Sequence, residues 1–598
     1  MASSDAPPGV FARLKQHHLY QVAIAYAVAA GFIIQLGSRA FPYFGWARLM
    51  PAVIIVLLAG FPVAIALTWM LVKPKNPAKY NAWQRLRWKL GASVTGVVIV
   101  LVVISGIYAW QLSARYQARV AAERALGIPK GKTALPAFNP PADSLVVLPF
   151  TNLGGDASQQ YFSDGITQEL TGALGQIPAL RVIAWETAAT LRNPRFTASE
   201  VGKRLNVANV LNGSILRAGD QVRITTELVS TLSGYVLWSA HYDGTLEDVF
   251  KLQDQVSTAI ATALKVRFAD TDLPTGGTAN AQAHDLLLQG RALRNKSDAA
   301  SLSKAREYFT QAIALDPNYA DAHAELASTL IALSERSDLP LAVALKKARA
   351  EAEKALAIDP RNAYAWTALG IADSTSDPPD IAKARSEFQE ALMLDPSNAA
   401  THGDYGNVLP LRPGLAQYRE AALLDPSNEV AWNNLAVNAQ DLGDWALMAE
   451  AGATLLKVDP AAVDGAFTLA YANRQLHRYD QMVAAFDLAK PASVRDSEQI
   501  EAGRLVYRAL TDASLRTAAL AALGRLARYQ SNPDVAGNLL QLYLALGEDA
   551  RALKLLETYC PATPVGCNDL GVSPIYQALH GEPRFEALAQ KYTTVTLD

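Results

Sequence analysis

The chain is poor in cysteine, with two in 598 residues, Cys560 and Cys567 in CPATPVGC. That excludes a small disulfide-stapled architecture and a cysteine-rich metal cluster. Prolines and a glycine between the two favour a turn, so one short disulfide loop and two free thiols both stay open. Also missing are GxxxxGK[ST], GxSxG, HExxH and paired CxxC, the patterns of P-loop, hydrolase-elbow and zinc-dependent chemistry. The eight histidines are scattered. His17-His18 reads as a polar pair flanking an apolar run. Asp156 and Asp164 sit near glycines in NLGGD and YFSDGIT, and read as loop geometry and a helix cap rather than as a metal pair. The chain is therefore expected to be non-enzymatic, with no catalytic residue, metal or cofactor.

Acidic residues are scarce at one end only. Residues 1–140 hold 15 Lys and Arg against 2 Asp and Glu. Residues 141–278 hold 10 against 14, and residues 279–598 hold 29 against 40. A basic first segment suits an anionic membrane surface. The acidic remainder argues against a nucleic-acid partner, since phosphate recognition needs a basic footprint.

Three runs carry no charge: Leu19–Ser38, Leu49–Val72 and Leu90–Ala114. Roughly twenty such residues cross a ~30 Å hydrocarbon core, so each is expected to span a membrane. Tyr108 and Trp110 end the third run, where amphipathic rings favour the headgroup level. Gly60 and Pro62 are expected to kink the second. Leu19–Ser38 also fits a signal peptide, but it is long for one and two further runs follow. The loop 73–89 holds Lys73, Lys75, Lys79, Arg85, Arg87 and Lys89 and no acid, which places it in the cytoplasm. The N-terminus is then cytoplasmic and everything after about residue 115 is periplasmic, although Arg115, Arg119, Arg124, Lys130 and Lys132 run against export. Residues 1–126 thus read as the membrane segment and 127–142, rich in Pro and Gly, as a tether.

Residues 143–268 read as a small α+β domain in the order βαβαβββα. The strands are Ser144–Phe150, Leu180–Trp185, Ala208–Arg217, Gln221–Ser230 and Tyr235–Tyr242. The helices are Gly165–Ile177 capped by Asp164, Thr197–Leu205 with a capping box, and Leu246–Val266. The stretches SLVVLPFTNLGGD, YFSDGIT and WSAHYDG, in that order, resemble the FlgO-like or TolB-amino-terminal-like domain. In that family the domain lies between a membrane anchor and tetratricopeptide repeats. Relatives carry a winged-helix DNA-binding domain or a class III nucleotide cyclase before the anchor. The residues before Leu19 are too few for either, so neither activity is expected here.

After a second linker, 269–280, residues 281–598 become helical and repetitive. LDP, IDP, LDP, LDP and VDP place Asp316, Asp359, Asp395, Asp425 and Asp459 at steps near 34 residues, the period of tetratricopeptide repeats. Trp366, Leu369 and Gly370 follow Pro360 in the expected register, as do Trp432, Leu435 and Ala436 after Pro426. The long step is expected to hold an insertion at 334–340, and the short step an irregular turn at 409–414. The end resembles a terminal repeat cap, which stacked repeats need. Gly370 is expected where two helices cross, with Gly370→Ala near neutral.

The fold class is thus multi-domain: three transmembrane α-helices, a small α+β domain, then an all-α tetratricopeptide solenoid. Solenoids bind peptides on their concave face. Tyr405, Asn407, Trp432, Asn433, Asn434 and Asn438 are the candidate groove, with the amides holding a peptide backbone. The expected function is an inner-membrane-anchored scaffold that binds protein partners. The alternative is a periplasmic sensor that binds a small ligand between the two soluble parts and signals through the spans. The topology predicts that a reporter active only in the cytoplasm works when fused after Ala82 and fails after Pro141; the reverse pattern refutes it.

Overall fold

The computed structural model describes residues 140–192, 196–264, 277–337 and 339–597. The expected membrane segment, its three spans, and most of both linkers lie outside these residues. Among the described residues no helix is long and apolar enough to cross a membrane. The chain divides into two compact units, 1–121 and 122–598, and all described residues belong to the second.

The first part is a mixed sheet with helices on it. Its elements are β1 (Ser144–Val147), β2 (Thr151–Asn152), α1 (Gln160–Gly175), β3 (Arg181–Val182), α2 (Trp185–Ala189), α3 (Ala198–Leu205), β4 (Asn209–Ala218), β5 (Gln221–Ser230), β6 (Val236–Thr245) and α4 (Val249–Ala263). The strand order is β3-β1-β4-β5-β6, with β2 also paired to β4. β1 is parallel to β3 and β4, while β4, β5 and β6 form an antiparallel meander. β1 is buried throughout, as a central parallel strand should be. Gly219 and Gly234 take φ of 62° and 72° in the two meander turns, a region that disfavours side chains.

Two sequence expectations move here. Helix α1 begins a turn earlier than Asp164 suggested. Asp156 caps the short 3-10 turn 157–159 that leads into α1, accepting from Ser158 N at 2.8 Å, and α1 itself has no side-chain cap. Asp164 sits inside the helix and pairs with Arg192 at 2.7 Å. The expected strand 180–185 ends at Val182, because Ala184 N turns away to donate to Leu424 O and Trp185 starts α2. The capping box at Thr197 and Glu200 is present in full.

The second part is an all-α solenoid of antiparallel pairs. These are α5 (Ala281–Arg294) with α6 (Ala299–Leu315), α7 (Ala320–Arg336) with α8 (Leu341–Ile358), α9 (Ala363–Thr375) with α10 (Ile381–Leu394), α11 (Ala399–Asn407) with α12 (Leu411–Leu424), α13 (Glu429–Asp441) with α14 (Trp445–Val458), α15 (Val463–Gln475) with α16 (Tyr479–Leu488), α17 (Val494–Ala509) with α18 (Arg516–Leu526), and α19 (Pro533–Leu546) with α20 (Asp549–Ala562). α21 (Pro583–Tyr592) covers the end. Each Asp of the Asp-Pro motif closes one pair, and in the Asp-Pro-x-Asn version the Asn opens the next. Asn362, Asn398 and Asn428 accept from Ala365 N, Thr401 N and Ala431 N at 2.9, 3.1 and 3.1 Å. A ring six residues after the Pro then fastens the turn. Trp366 and Trp432 donate to the carbonyls of Pro360 and Pro426 at 3.0 and 3.1 Å. His323 and His402 point Nε2 at the carbonyls of Pro317 and Pro396.

The long step is absorbed by long helices, 17 residues in α7 and 18 in α8. The short step is a 9-residue α11. Its turn leads into α12, whose N-cap is Pro410 with no side-chain acceptor. The C-terminal tail supplies the acceptors: Leu411 N and Arg412 N donate to Thr596 O and Leu597 O. Exposed first-turn amides of a helix need such partners. Cys560 and Cys567 form a disulfide, Cα atoms 5.6 Å apart, at the end of α20.

Within three of the pairs, and between α16 and α17, a glycine meets an aromatic ring. A Cβ on Gly290, Gly370, Gly406 or Gly503 would stand 2.4, 2.7, 2.9 or 2.5 Å from the rings of Phe309, Phe388, Tyr418 or Phe486. Phe388 is fully buried, so it has no room to retreat. This corrects the expected neutrality of Gly370→Ala. Overpacking by about 1–3 kcal/mol outweighs a helix-propensity gain of up to ~1 kcal/mol. Gly370→Ala is expected to lower the melting temperature in calorimetry; an unchanged melt refutes this packing.

Candidate functional site

The inner face of the first repeats is already occupied. α1 packs on α5, and Leu288 of α5 joins the core under the sheet. Arg291 of α5 donates to Glu169 of α1 at 2.9 Å and to Glu325 of α7 at 2.6 Å. His284 lies 3.1 Å from Glu169, and Gln253 of α4 donates to the same carboxylate. Burial pushes the Glu169 and Glu325 carboxyls up, but the neighbouring cations outweigh it and hold both low. Further along, Thr187 of α2 donates to Asp425 at 2.6 Å, Ser427 N donates back to Thr187, and Val182 N donates to Ser397. Arg181 pairs with Glu420 at 2.6 Å. The sheet region and the repeats are therefore docked within one compact unit, and Leu288 is the repeat residue that enters the sheet's core. Thr278 and Asn280 of the expected linker 269–280 already belong to the start of α5.

The six groove candidates separate on inspection. Trp432 is 7% exposed and serves as the turn clamp described above, inside a cluster with Leu435, Ala436 and Leu455. Tyr405 is 8% exposed, belongs to the core with Phe388, and accepts from Gln389 at 2.8 Å. Asn407 is exposed and accepts from Tyr418 at 2.7 Å. Asn438 donates back to Asn434 O, a bond within its own helix. Asn433 and Asn434 are half-buried on α13.

Sequence reasoning missed the two residues that complete this face. Val430 and Val437 are 67% and 44% exposed. With Asn433 and Asn434 they occupy i, i+3, i+4 and i+7, one stripe of a helix. Two valines seven residues apart, flanking the asparagine pair, were the available signal. On the other helix layer, α12 and α14 border an open cleft of about 600 Å³ lined by Leu415, Leu423, Leu447 and Arg419. Among the described residues no group of three or more His, Cys, Asp or Glu is placed to hold a metal ion.

No family model matches the chain. Over 199 residues it is 34% identical to "Putative adenylate cyclase 3" of Rhizobium meliloti (strain 1021), a match that covers 33% of this chain and 34% of that protein. The chain thus spans about a third of the length of this curated relative. Solved structures that it is similar to include YrrB, described as a TPR protein, at 20% identity and a TM-score of 0.25 over 30% of this chain and 89% of that one. Yeast Tom70 is 13% identical, with a TM-score of 0.29 over 90% of this chain and 94% of that one. The repeat assignment rests on the helix pairs and their turns, not on these superpositions.

The stripe helix is held at its far end by a buried clasp. Asp441, the last residue of α13, accepts from Ser573 Oγ at 2.6 Å. Burial first, and then the neighbouring Asp569, push the Asp441 carboxyl up to about 7. The folded chain keeps this proton where an unfolded one has lost it. The associated stability is complete below about pH 4 and is lost as pH rises through about 7. Asp441→Asn keeps an acceptor for Ser573 and removes the charge. Its melting temperature is expected to exceed the parent's above about pH 7 and to lose that advantage towards pH 4; parallel melting curves across this range refute the assignment.

Proposed function

We propose that the chain is a non-enzymatic adaptor, anchored in the bacterial inner membrane by residues 1–126, that binds a protein partner on the periplasmic side along α13. The observation that supports this reading most is the stripe of Val430, Asn433, Asn434 and Val437. The sheet region covers the inner face of the first repeats, so a segment from another protein meets the solenoid at this later helix. Two valines offer apolar contact, and the amides between them offer donors and acceptors to a peptide backbone. That chemistry suits a segment with alternating apolar side chains. The anchoring and the compartment rest on the three charge-free runs and the loop charges. The resemblance to FlgO-like and TolB-amino-terminal-like domains supports the same layout of anchor, α+β domain and repeats. Adenylate cyclase chemistry is not part of this reading, because the likeness to the relative of that name covers a third of each chain. The sensor alternative has less support, since Glu169, His284, Arg291 and Glu325 fill the junction where its ligand would sit.

A photo-crosslinking residue at Val430 or Val437 in the cell-expressed full chain is expected to give one discrete adduct. The same residue at Met393, 63% exposed on α10, is expected to give none. Adducts that do not distinguish the positions refute binding on α13.

A further inference from the structure

One end of the sheet gathers features that the adaptor reading leaves unused. The described chain begins there, at Pro140, and runs into β1. β4 begins there too, Asn209 standing opposite both Leu145 of β1 and Ser230 of β5. Asn209 Nδ2 donates to Ala142 O at 3.1 Å. The turn from β5 to β6 closes over the same end, with Thr231 N donating to Ala208 O at 2.9 Å. Gly202, in the last turn of α3, packs on Thr231.

What this end shows to solvent is apolar. Leu232 is 60% exposed, Tyr235 76%, Val236 51% and Leu237 50%. Beside them Lys203 and Arg204 of α3 are exposed, and the Arg204 guanidinium lies 5.6 Å from the centre of the Phe196 ring. Asp143 and Glu200 are the exposed acids nearby. Four large apolar side chains at one turn and the first two residues of β6 are not explained by the fold, which leaves them bare.

We propose that this turn is a membrane-contact tip: Leu232, Tyr235, Val236 and Leu237 dip into the lipid interface, with Lys203 and Arg204 at headgroup level. This rests on the anchoring reading, and adds which end of the extramembrane unit faces the bilayer. The described chain begins at this same end, at Pro140. A phenol ring with short aliphatic neighbours suits the boundary between headgroups and acyl chains. Strand addition along β6 fits less well. The apolar exposure stops after Leu237, and the outward residues Ser239, His241 and Asp243 are polar, with Asp243 paired to Arg223 at 2.6 Å. Charged, polar edges discourage strand pairing.

The test uses the full chain in nanodiscs, with an environment-sensitive fluorophore on Leu237→Cys and, as control, on Thr225→Cys from the open polar face of β5. The parent chain, labelled without reductant, gives the background from Cys560 and Cys567. The expected result is a blue-shifted emission at 237, quenched by lipids that carry the quencher just below the headgroup, and an unshifted, unquenched emission at 225. Adding Leu232→Asp and Tyr235→Asp to the 237 label is expected to abolish the quenching without moving the melting temperature. An anchored chain whose 237 label is blue-shifted but not lipid-quenched has that tip covered by protein, a second copy or a partner, and overturns the proposal alone. An anchored chain whose 237 label behaves like 225 also overturns it alone. A chain recovered in the soluble fraction overturns the anchoring reading and the proposal together.

Discussion

One guanidinium ties the sheet region to the repeats. Arg291 is 7% exposed and stands between two carboxylates, Glu169 from the sheet region and Glu325 from the second repeat. A charge so far from water is tolerable only when its partners are in place, and removing one partner of such a pair costs about 3–5 kcal/mol. The network does not by itself add stability over a well-packed apolar contact. It specifies that α1 docks on α5 in one register, because any slip leaves a buried charge without its counterpart. Leu288, Gly165 and the hydrogen bonds at Thr187 and Ser397 then follow from that docking.

The docking has a functional consequence. Tetratricopeptide solenoids offer their inner helix faces to partners, and here the chain's own sheet region takes the first of them. The face that is left, on α13, is also where the later helices return. Asp441 meets Ser573 and Gln440 meets Gln541. The tail reaches further back to cap α12. The stripe at Val430 and Val437 thus sits on a helix held at its start by the Asn428 cap and at its end by Ser573.

Much of the repeat region was legible in the sequence, because its signals are local. Asp-Pro-x-Asn ends one helix and starts the next with atoms only a few residues apart, so the motif and its hydrogen bonds are the same statement. The ring six residues on is equally local. The six groove candidates were only partly legible. The asparagines on α13 were visible, while Trp432 and Tyr405 looked available for binding and are in fact core. Exposure depends on which neighbours cover a residue, and periodicity alone does not say. The same reason explains Gly370→Ala. The register located the crossing, and only the tertiary structure showed that the fully buried Phe388 ring lies against the glycine.

Local patterns carry the Asp-Pro turns up to Pro460, the meander and the capping box at Thr197, since each rests on contacts within a few residues or on alternation along a strand. Only long-range contacts make the strand after Leu180 stop at Val182 and dock α1 on α5. These outcomes depend on groups more than a hundred residues apart, Ala184 with Leu424 or Glu169 with Arg291. Hydrogen bonds and buried charges at that separation leave no periodic trace in the chain, because either partner alone looks like an ordinary surface residue until the fold brings the other to it.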